Sequence, residues 1–265
     1  MIITCADSHA GLLERYLEQE YVFNTFLLAD LRLYGASAPF QDTWADVENG
    51  VCRAVYMRFY QNLMVYGEAV DGAFVRSLLK RFPISVIMGK QELVERLSGD
   101  AGDGYILRCK RLCMLEGEDA LQPAAGRARR AEPADAGRVH RFLQSLPEFT
   151  SLYASGEMIA DRIRNNDGIH LMLERDGEIV SHGNSTAGAG RTVMLGGVGT
   201  APAFRGRGYA SEIVSALSRA VLAEGKKPCV FCGRGPEENL FDRLGFRTVG
   251  GWATLEAVER TGLDE

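Results

Sequence analysis

The chain has no apolar run of about 18 residues, no surplus of positive charge and few cysteines, and each shortage excludes a class of protein. Without such a run there is no helical membrane span. The opening residues, Met1 to Gly11, carry Asp7 and lack both a basic start and an apolar stretch of about 7–15 residues, so no secretory leader is expected. A soluble, cytoplasmic protein without membrane partners is the expectation. The net charge of −5 removes the basic footprint of a nucleic-acid binder, and an anionic ligand must therefore be held by local groups. Six cysteines, at 5, 52, 109, 113, 229 and 232, are too sparse for a disulfide framework in 265 residues. Cys229 and Cys232 have the spacing of a zinc or redox pair, but no second such pair and no histidine pair completes a ligand set. Cys229 lies in, and Cys232 directly follows, the apolar stretch Pro228 to Phe231, which reads as a buried strand, so core residues and no metal are expected.

What is present is an ordinary globular composition, 46% hydrophobic and 25% charged, in a length that suits two domains. The texture changes between Glu116 and Ala136, where glycine, proline, alanine and charge replace periodic apolar residues. This places domains at 1–120 and 127–265. The cluster Arg127, Arg129 and Arg130 reads as a solvated strand edge or linker.

In the second half, periodicity predicts helices at Ala134 to Leu146 and Leu152 to Arg164. A hairpin follows, Ile169 to Glu174 and Glu178 to Asn184, turned by Asp176-Gly177. A loop at Ala187 to Gly190 leads to a strand, Thr192 to Thr200. A long helix carries Ala210, Ile213, Val214, Leu217, Ala220 and Val221 on one face and is closed by Gly225. Strand Pro228 to Phe231, helix Glu237 to Leu244 and strand Phe246 to Val258 finish the chain. The first half ends in the same order: strand Asn62 to Gly67, helix Asp71 to Phe82, strand Ile84 to Met88, helix Gln91 to Leu97, strand Tyr105 to Leu115. Duplication and chance recurrence of a common α/β order both explain this. The fold class is α/β with a mixed sheet. The run Asn24 to Gly35 reads as core.

The segment Val198-Gly199-Thr200-Ala201-Pro202-Ala203-Phe204-Arg205-Gly206-Arg207-Gly208-Tyr209-Ala210 carries the chemistry. Glycines just before a helix let backbone N–H groups converge on an anion, and the helix end adds about half a positive charge. Such a cradle grips a diphosphate without many lysines. Arg205 and Arg207 can add charge-assisted contacts. A Walker loop is absent, and a dinucleotide fingerprint fails because its third glycine would be Ser211.

This segment resembles motif A of the GNAT N-acetyltransferase superfamily, Val-x-Thr-x-Pro-x-x-Arg-Gly-x-Gly-x-Ala, at every fixed position. The likeness covers Arg127 to about Val258 and includes Leu244-Gly245-Phe246. It implies an acyl-CoA-binding fold for the second half, with the first half an α/β domain that is a degenerate GNAT copy if the halves are related. It implies acetyl-CoA as co-substrate, its diphosphate held by amides of Gly206, Gly208 and Tyr209 to Ser211. The backbone of Val198 and Thr200 would receive the pantetheine arm. The implied cofactor set is Val198, Gly199, Thr200, Arg205, Gly206, Arg207, Gly208, Tyr209, Ala210 and Ser211, with Arg234 and Phe241 at two positions that depart from the pattern. Phe241 stands where the family often has a tyrosine that protonates the departing thiolate, and Arg234 stands where an asparagine is common.

Local candidates for the missing acid are Cys232, His182, Glu237 and Glu238, with His182 otherwise a partly exposed strand residue. Gly196 and Gly197 either make room for the acceptor, aim amides at the thioester, or form a simple bulge. The first half has Glu68-Ala69-Val70-Asp71-Gly72 in place of the cradle, and its acids would repel a diphosphate. The expected activity is transfer of an acetyl group to the amine of a small molecule or amino-acid derivative by a monomer or homodimer. An acyl-CoA sensor and a longer-chain acyltransferase are the alternatives.

Overall fold

The computed structural model describes residues 1–150, 156–165, 168–233 and 239–258. The chain forms two compact units. One is Met1–Leu112 with Phe231–Arg234 and Val249–Glu265; the other is Cys113–Val230 with Gly235–Thr248. The division expected at 120/127 keeps the last strand with the second half, whereas here that strand is built into the first unit.

The elements run β1 (Ile2–Thr4), α1 (Ala10–Leu17), α2 (Thr25–Tyr34), β2 (Ser37–Ala38), β3 (Gln41–Glu48), β4 (Val51–Phe59), β5 (Asn62–Gly67), α3 (Gly72–Arg81), β6 (Val86–Lys90), α4 (Gln91–Ala101) and β7 (Tyr105–Met114). They continue as β8 (Arg129–Arg130), α5 (Ala136–Gln144), α6 (Gly156–Arg164), β9 (His170–Arg175), β10 (Glu178–Ala189), β11 (Thr192–Thr200), α7 (Tyr209–Ala223), β12 (Lys227–Cys232), α8 (Leu240–Arg243) and β13 (Arg247–Ala257). Residues 152–155 of one expected helix, and 237 and 238 of another, lie outside the described residues.

In the first unit the sheet order is β1-β3-β4-β5-β6-β13-β7. Asn49 and Gly50 join β3 to β4 with φ of 50° and 76°, as a two-residue hairpin turn requires. β13 runs antiparallel to β6, with Trp252 opposite Lys90 and Leu255 opposite Ile87. Its Ala253 and Leu255 enter the same core as Trp44, Tyr56, Leu63 and Val65 of the sheet and Val75, Leu78, Leu93 and Val94 of α3 and α4. α2 buries Leu27, Leu28 and Leu31, consistent with its reading as core.

In the second unit the order is β12-β11-β10-β9-β8, with β11 and β12 parallel. The expected hairpin is present: Asp176 (φ 51°) and Gly177 (φ 80°) turn the chain between Arg175 and Glu178. The loop expected at 187–190 is instead the end of β10, because Gly188 pairs with Val193 and Ala189 with Thr192. Ladder pairing there overrides the weak strand preference of glycine and alanine. α5 and α6 cover a core of Val139, Phe142, Leu143, Leu146, Ile159, Met172 and Ile179. α7 packs on β9, β10 and β11 through buried Ile213, Val214, Leu217 and Val221.

The basic cluster is a strand edge, one of the two readings expected of it: Arg129 and Arg130 form β8, exposed at the end of the sheet. Arg129 reaches both oxygens of Asp135 (2.7 and 2.9 Å) and also Glu174 (2.8 Å), while Arg138 bonds the same two acids. The Arg129 guanidinium, with burial opposing it, holds the Asp135 carboxyl down at about 2.

Candidate active site

β11 ends at Thr200, and a single tight turn, Pro202–Phe204, carries the chain to Gly206 and Gly208. Both glycines are left-handed, at φ 76° and 80°, and Gly208 caps α7 with no side chain of its own to accept a hydrogen bond. A residue with a Cβ resists this conformation by about 1–2 kcal/mol. The first bond that closes α7 runs from Glu212 N–H to the carbonyl of Gly208 (3.0 Å). Among the described residues, no protein acceptor meets the N–H groups of residues 206–211. Six donors at the positive end of a 15-residue helix are thus left for an external anion.

Cations surround that helix head. The Tyr209 ring has the Arg127 and Arg175 guanidinium carbons 5.6 and 5.8 Å from its centroid, and its hydroxyl accepts from Arg175 Nε (3.2 Å). Arg127 also pairs with buried Glu212. Arg207 stacks over Phe204 at 5.4 Å and makes no ion pair among the described residues. Arg205 is committed elsewhere: it donates to the Thr200 carbonyl and to Glu148, each at 3.0 Å, and so ties the strand end to the turn. The sequence marked Arg205 as a phosphate contact and overlooked Arg175, which lies 34 residues upstream of Tyr209 and carries no motif.

The β11–β12 ladder supplies the groove. Thr192, Val193 and Met194 pair with Lys227, Pro228 and Cys229, and among the described residues the pairing goes no further. Ala201 N–H donates to Val180 on β10 (2.9 Å). Because backbone groups alternate along a strand, the N–H and C=O of Val198 and the N–H of Thr200 then face the side that β12 has left, where Arg205 already holds the Thr200 carbonyl. This is the edge an extended amide chain needs.

Between these positions lies a bulge. The β10–β11 register shifts between His182 and Asn184, and Gly197 is left-handed at φ 56°. His182 is fully buried there, not partly exposed as expected. Its Nδ1 lies 3.0 Å from the Gly197 carbonyl oxygen and its Nε2 lies 3.2 Å from Nδ1 of His170, also buried. Burial pushes the His182 ring down to about 4 and the His170 ring, next to it, to about 3. Both rings are therefore neutral at neutral pH, and one proton arrangement satisfies the chain of contacts. His182 Nδ1–H donates to Gly197, His170 Nδ1–H donates to His182, and the buried Nε2 of His170 is left without a partner. The signal was a diagonal pair in the hairpin: His170 lies opposite Asn184, two residues from His182 on the same face.

Phe241 packs edge-on against Phe246 at 5.6 Å and offers no proton. Cys232 is buried at 2% exposure, and burial raises the Cys229 thiol to about 12, as befits core residues. Arg234, Glu237 and Glu238 lie outside the described residues.

A family model described as FR47-like protein matches residues 189–257. A Drosophila protein of known structure is 16% identical, with 98% of this chain and 99% of that one covered at a TM-score of 0.71. A tandem GNAT protein from the clavulanic acid biosynthesis pathway is 12% identical, covering 100% and 99%, at 0.59. A GCN5-related N-acetyltransferase from Sphaerobacter thermophilus is 17% identical, covering 100% and 98%, at 0.58. No curated protein matches the chain. The fold is that of the GNAT acetyltransferases, a mixed α/β architecture, as the motif A resemblance implied.

Proposed function

We propose that the chain is an acyl-CoA-dependent N-acyltransferase that moves an acetyl group from acetyl-CoA to the amine of a small molecule or amino-acid derivative. The observation that carries this reading is the set of unpartnered N–H groups at 206–211 on the head of α7. They fit a linked pair of phosphates in number and in charge, and an acidic chain needs such a local device. The co-substrate supplies an acyl group activated as a thioester. Val198 and Thr200 align its pantetheine arm along the open edge of β11. His182 holds the Gly197 carbonyl away from the groove and thereby orients the following Val198 N–H toward the acyl oxygen. The neutral amine adds to the thioester carbon and the C–S bond breaks; with no proton donor at Phe241 the sulfur leaves as thiolate, which its ordinary pKa of about 8.5 permits, and the proton lost by nitrogen passes to water. The first unit is read as a GNAT copy without the diphosphate site, and the protein as a cytoplasmic monomer or homodimer.

The replacement of the family's usual tyrosine by Phe241 favours a second reading, an acyl-CoA sensor without turnover. Thiol release from acetyl-CoA with a panel of small amines separates the two. Turnover supports the transferase, tight CoA binding without turnover supports the sensor, and absence of CoA binding overturns both.

A further inference from the structure

The first unit has a cavity of about 500 Å³ at the carboxyl ends of β5 and β6, within the usual range of about 300–1,000 Å³ for small-ligand sites. It forms where these parallel strands part: Asn62, Leu63 and Met64 pair with Val86, Ile87 and Met88, and the ladder stops. The three-pair ladder of β11 and β12 parts in the same way, but the adjoining helix differs. At the head of α3 the Asp71 carboxylate accepts from Ala73 N–H (2.7 Å) and Phe74 N–H (3.3 Å). The chain's own carboxylate thus occupies the anion position, and a phosphate finds no free helix end.

The lining carries both signs of charge. Glu20 is saturated, because Lys90 reaches both its oxygens (2.7 and 2.9 Å) and the Tyr66 hydroxyl donates to it (2.9 Å). Among the described residues Glu68, Glu92 and Arg96 make no ion pair, although all three line the cavity. Glu68 follows β5 and Arg96 stands on α4, so the unpaired carboxylate and the unpaired guanidinium come from different elements. A polyanion would meet Glu68 and Glu92, a simple cation would meet Arg96 and Lys90, and an apolar molecule would strand every one of these groups.

We propose that this cavity binds a small amphoteric molecule of amino-acid size, its carboxylate on Arg96 and its ammonium on Glu68. The inference does not depend on the transfer chemistry of the second unit.

Calorimetry on the full chain tests it with the common amino acids taken singly, then with amines and carboxylic acids that lack one of the two charges. At least one amino acid should bind with a Kd below about 1 mM, and each singly charged analogue should bind at least tenfold more weakly. Arg96→Gln and Glu68→Gln, both at exposed positions, should each weaken binding about tenfold. CoA affinity should not change in either variant. The proposal is overturned if no amino acid binds, if a singly charged analogue binds equally well, if the variants bind unchanged, or if CoA displaces the ligand.

Discussion

Gly208 combines two properties that seldom coincide, a left-handed backbone and open space where a side chain would stand, since a Cβ there meets nothing within 4 Å. Sterics therefore do not forbid a larger residue; the backbone and the ligand do. Gly208→Glu should leave the fold in place at a cost of about 1–2 kcal/mol and abolish CoA binding, because a carboxylate enters the phosphate position. Calorimetry beside a thermal melt checks it, and retained affinity contradicts the assignment. The cradle was legible because phosphate binding by backbone needs glycine at fixed spacing. The histidine pair was not, since its meaning depends on a bulge that shifts register by one residue.

That pair also sets a pH dependence. Both imidazoles sit below their unfolded value of 6.5, so the unfolded chain binds protons that the folded one refuses. The stability they contribute is fully present above 6.5 and is lost as pH falls toward about 4 and 3. Each pKa unit is worth about 1.4 kcal/mol, so urea unfolding between pH 7 and 5 should show a loss of at least about 1 kcal/mol. In a folded His170→Gln, His182→Gln double variant this slope should flatten; an unchanged slope would assign it to other groups.

At the scale of elements, two helices of similar design end differently. α7 begins on bare glycine and α3 begins on Asp71, whose carboxylate takes the Ala73 and Phe74 amides, and this one position decides whether the helix head serves a ligand or a cap. Asp71→Ala should cost about 1 kcal/mol of stability, the ordinary value of an N-cap, as measured by chemical denaturation. A loss near zero would show that the cap does not hold α3.

The Arg129–Asp135–Arg138–Glu174 network joins the short β8, the start of α5 and β9. Asp135 is depressed in the fold, so its contribution is present above its usual 3.8 and disappears as pH falls toward 2. The strand edge at Arg129 and Arg130 was legible in sequence, but the ion pairs were not, because Asp135 and Glu174, which hold Arg129, and Glu212, which holds Arg127, lie beyond the cluster. It placed the elements from Asn62 onward well, where apolar periodicity is strong. It assigned nothing between Gly35 and Asn62, although Asn49-Gly50 between two apolar runs is a clear hairpin signal.

At the scale of the molecule, the main boundary at Leu112 and Cys113 falls close to the change of texture, but the last strand from Val249 onward belongs to the first unit. The last strand inserts between β6 and β7 in the first unit and carries two residues of its core. No local pattern announces this, because a strand's partner is set by long-range packing and not by its own residues. A fragment of residues 1–120 should therefore fail to fold, lacking β13 along the edge of β6. Circular dichroism and hydrogen exchange would show this, and a cooperative melt of the isolated fragment would contradict it. The same order of elements in both halves of the chain was visible in sequence, and the unequal caps of α3 and α7 divide the labour proposed here.

A crystal structure of the complex with CoA would show directly whether the amides at the head of α7 hold its phosphates. Both phosphates should lie within hydrogen-bonding distance of the N–H groups of residues 206–211, with the pantetheine amides along Val198 and Thr200. Phosphates bound at another site, or this turn folded closed upon itself in the complex, would contradict this reading.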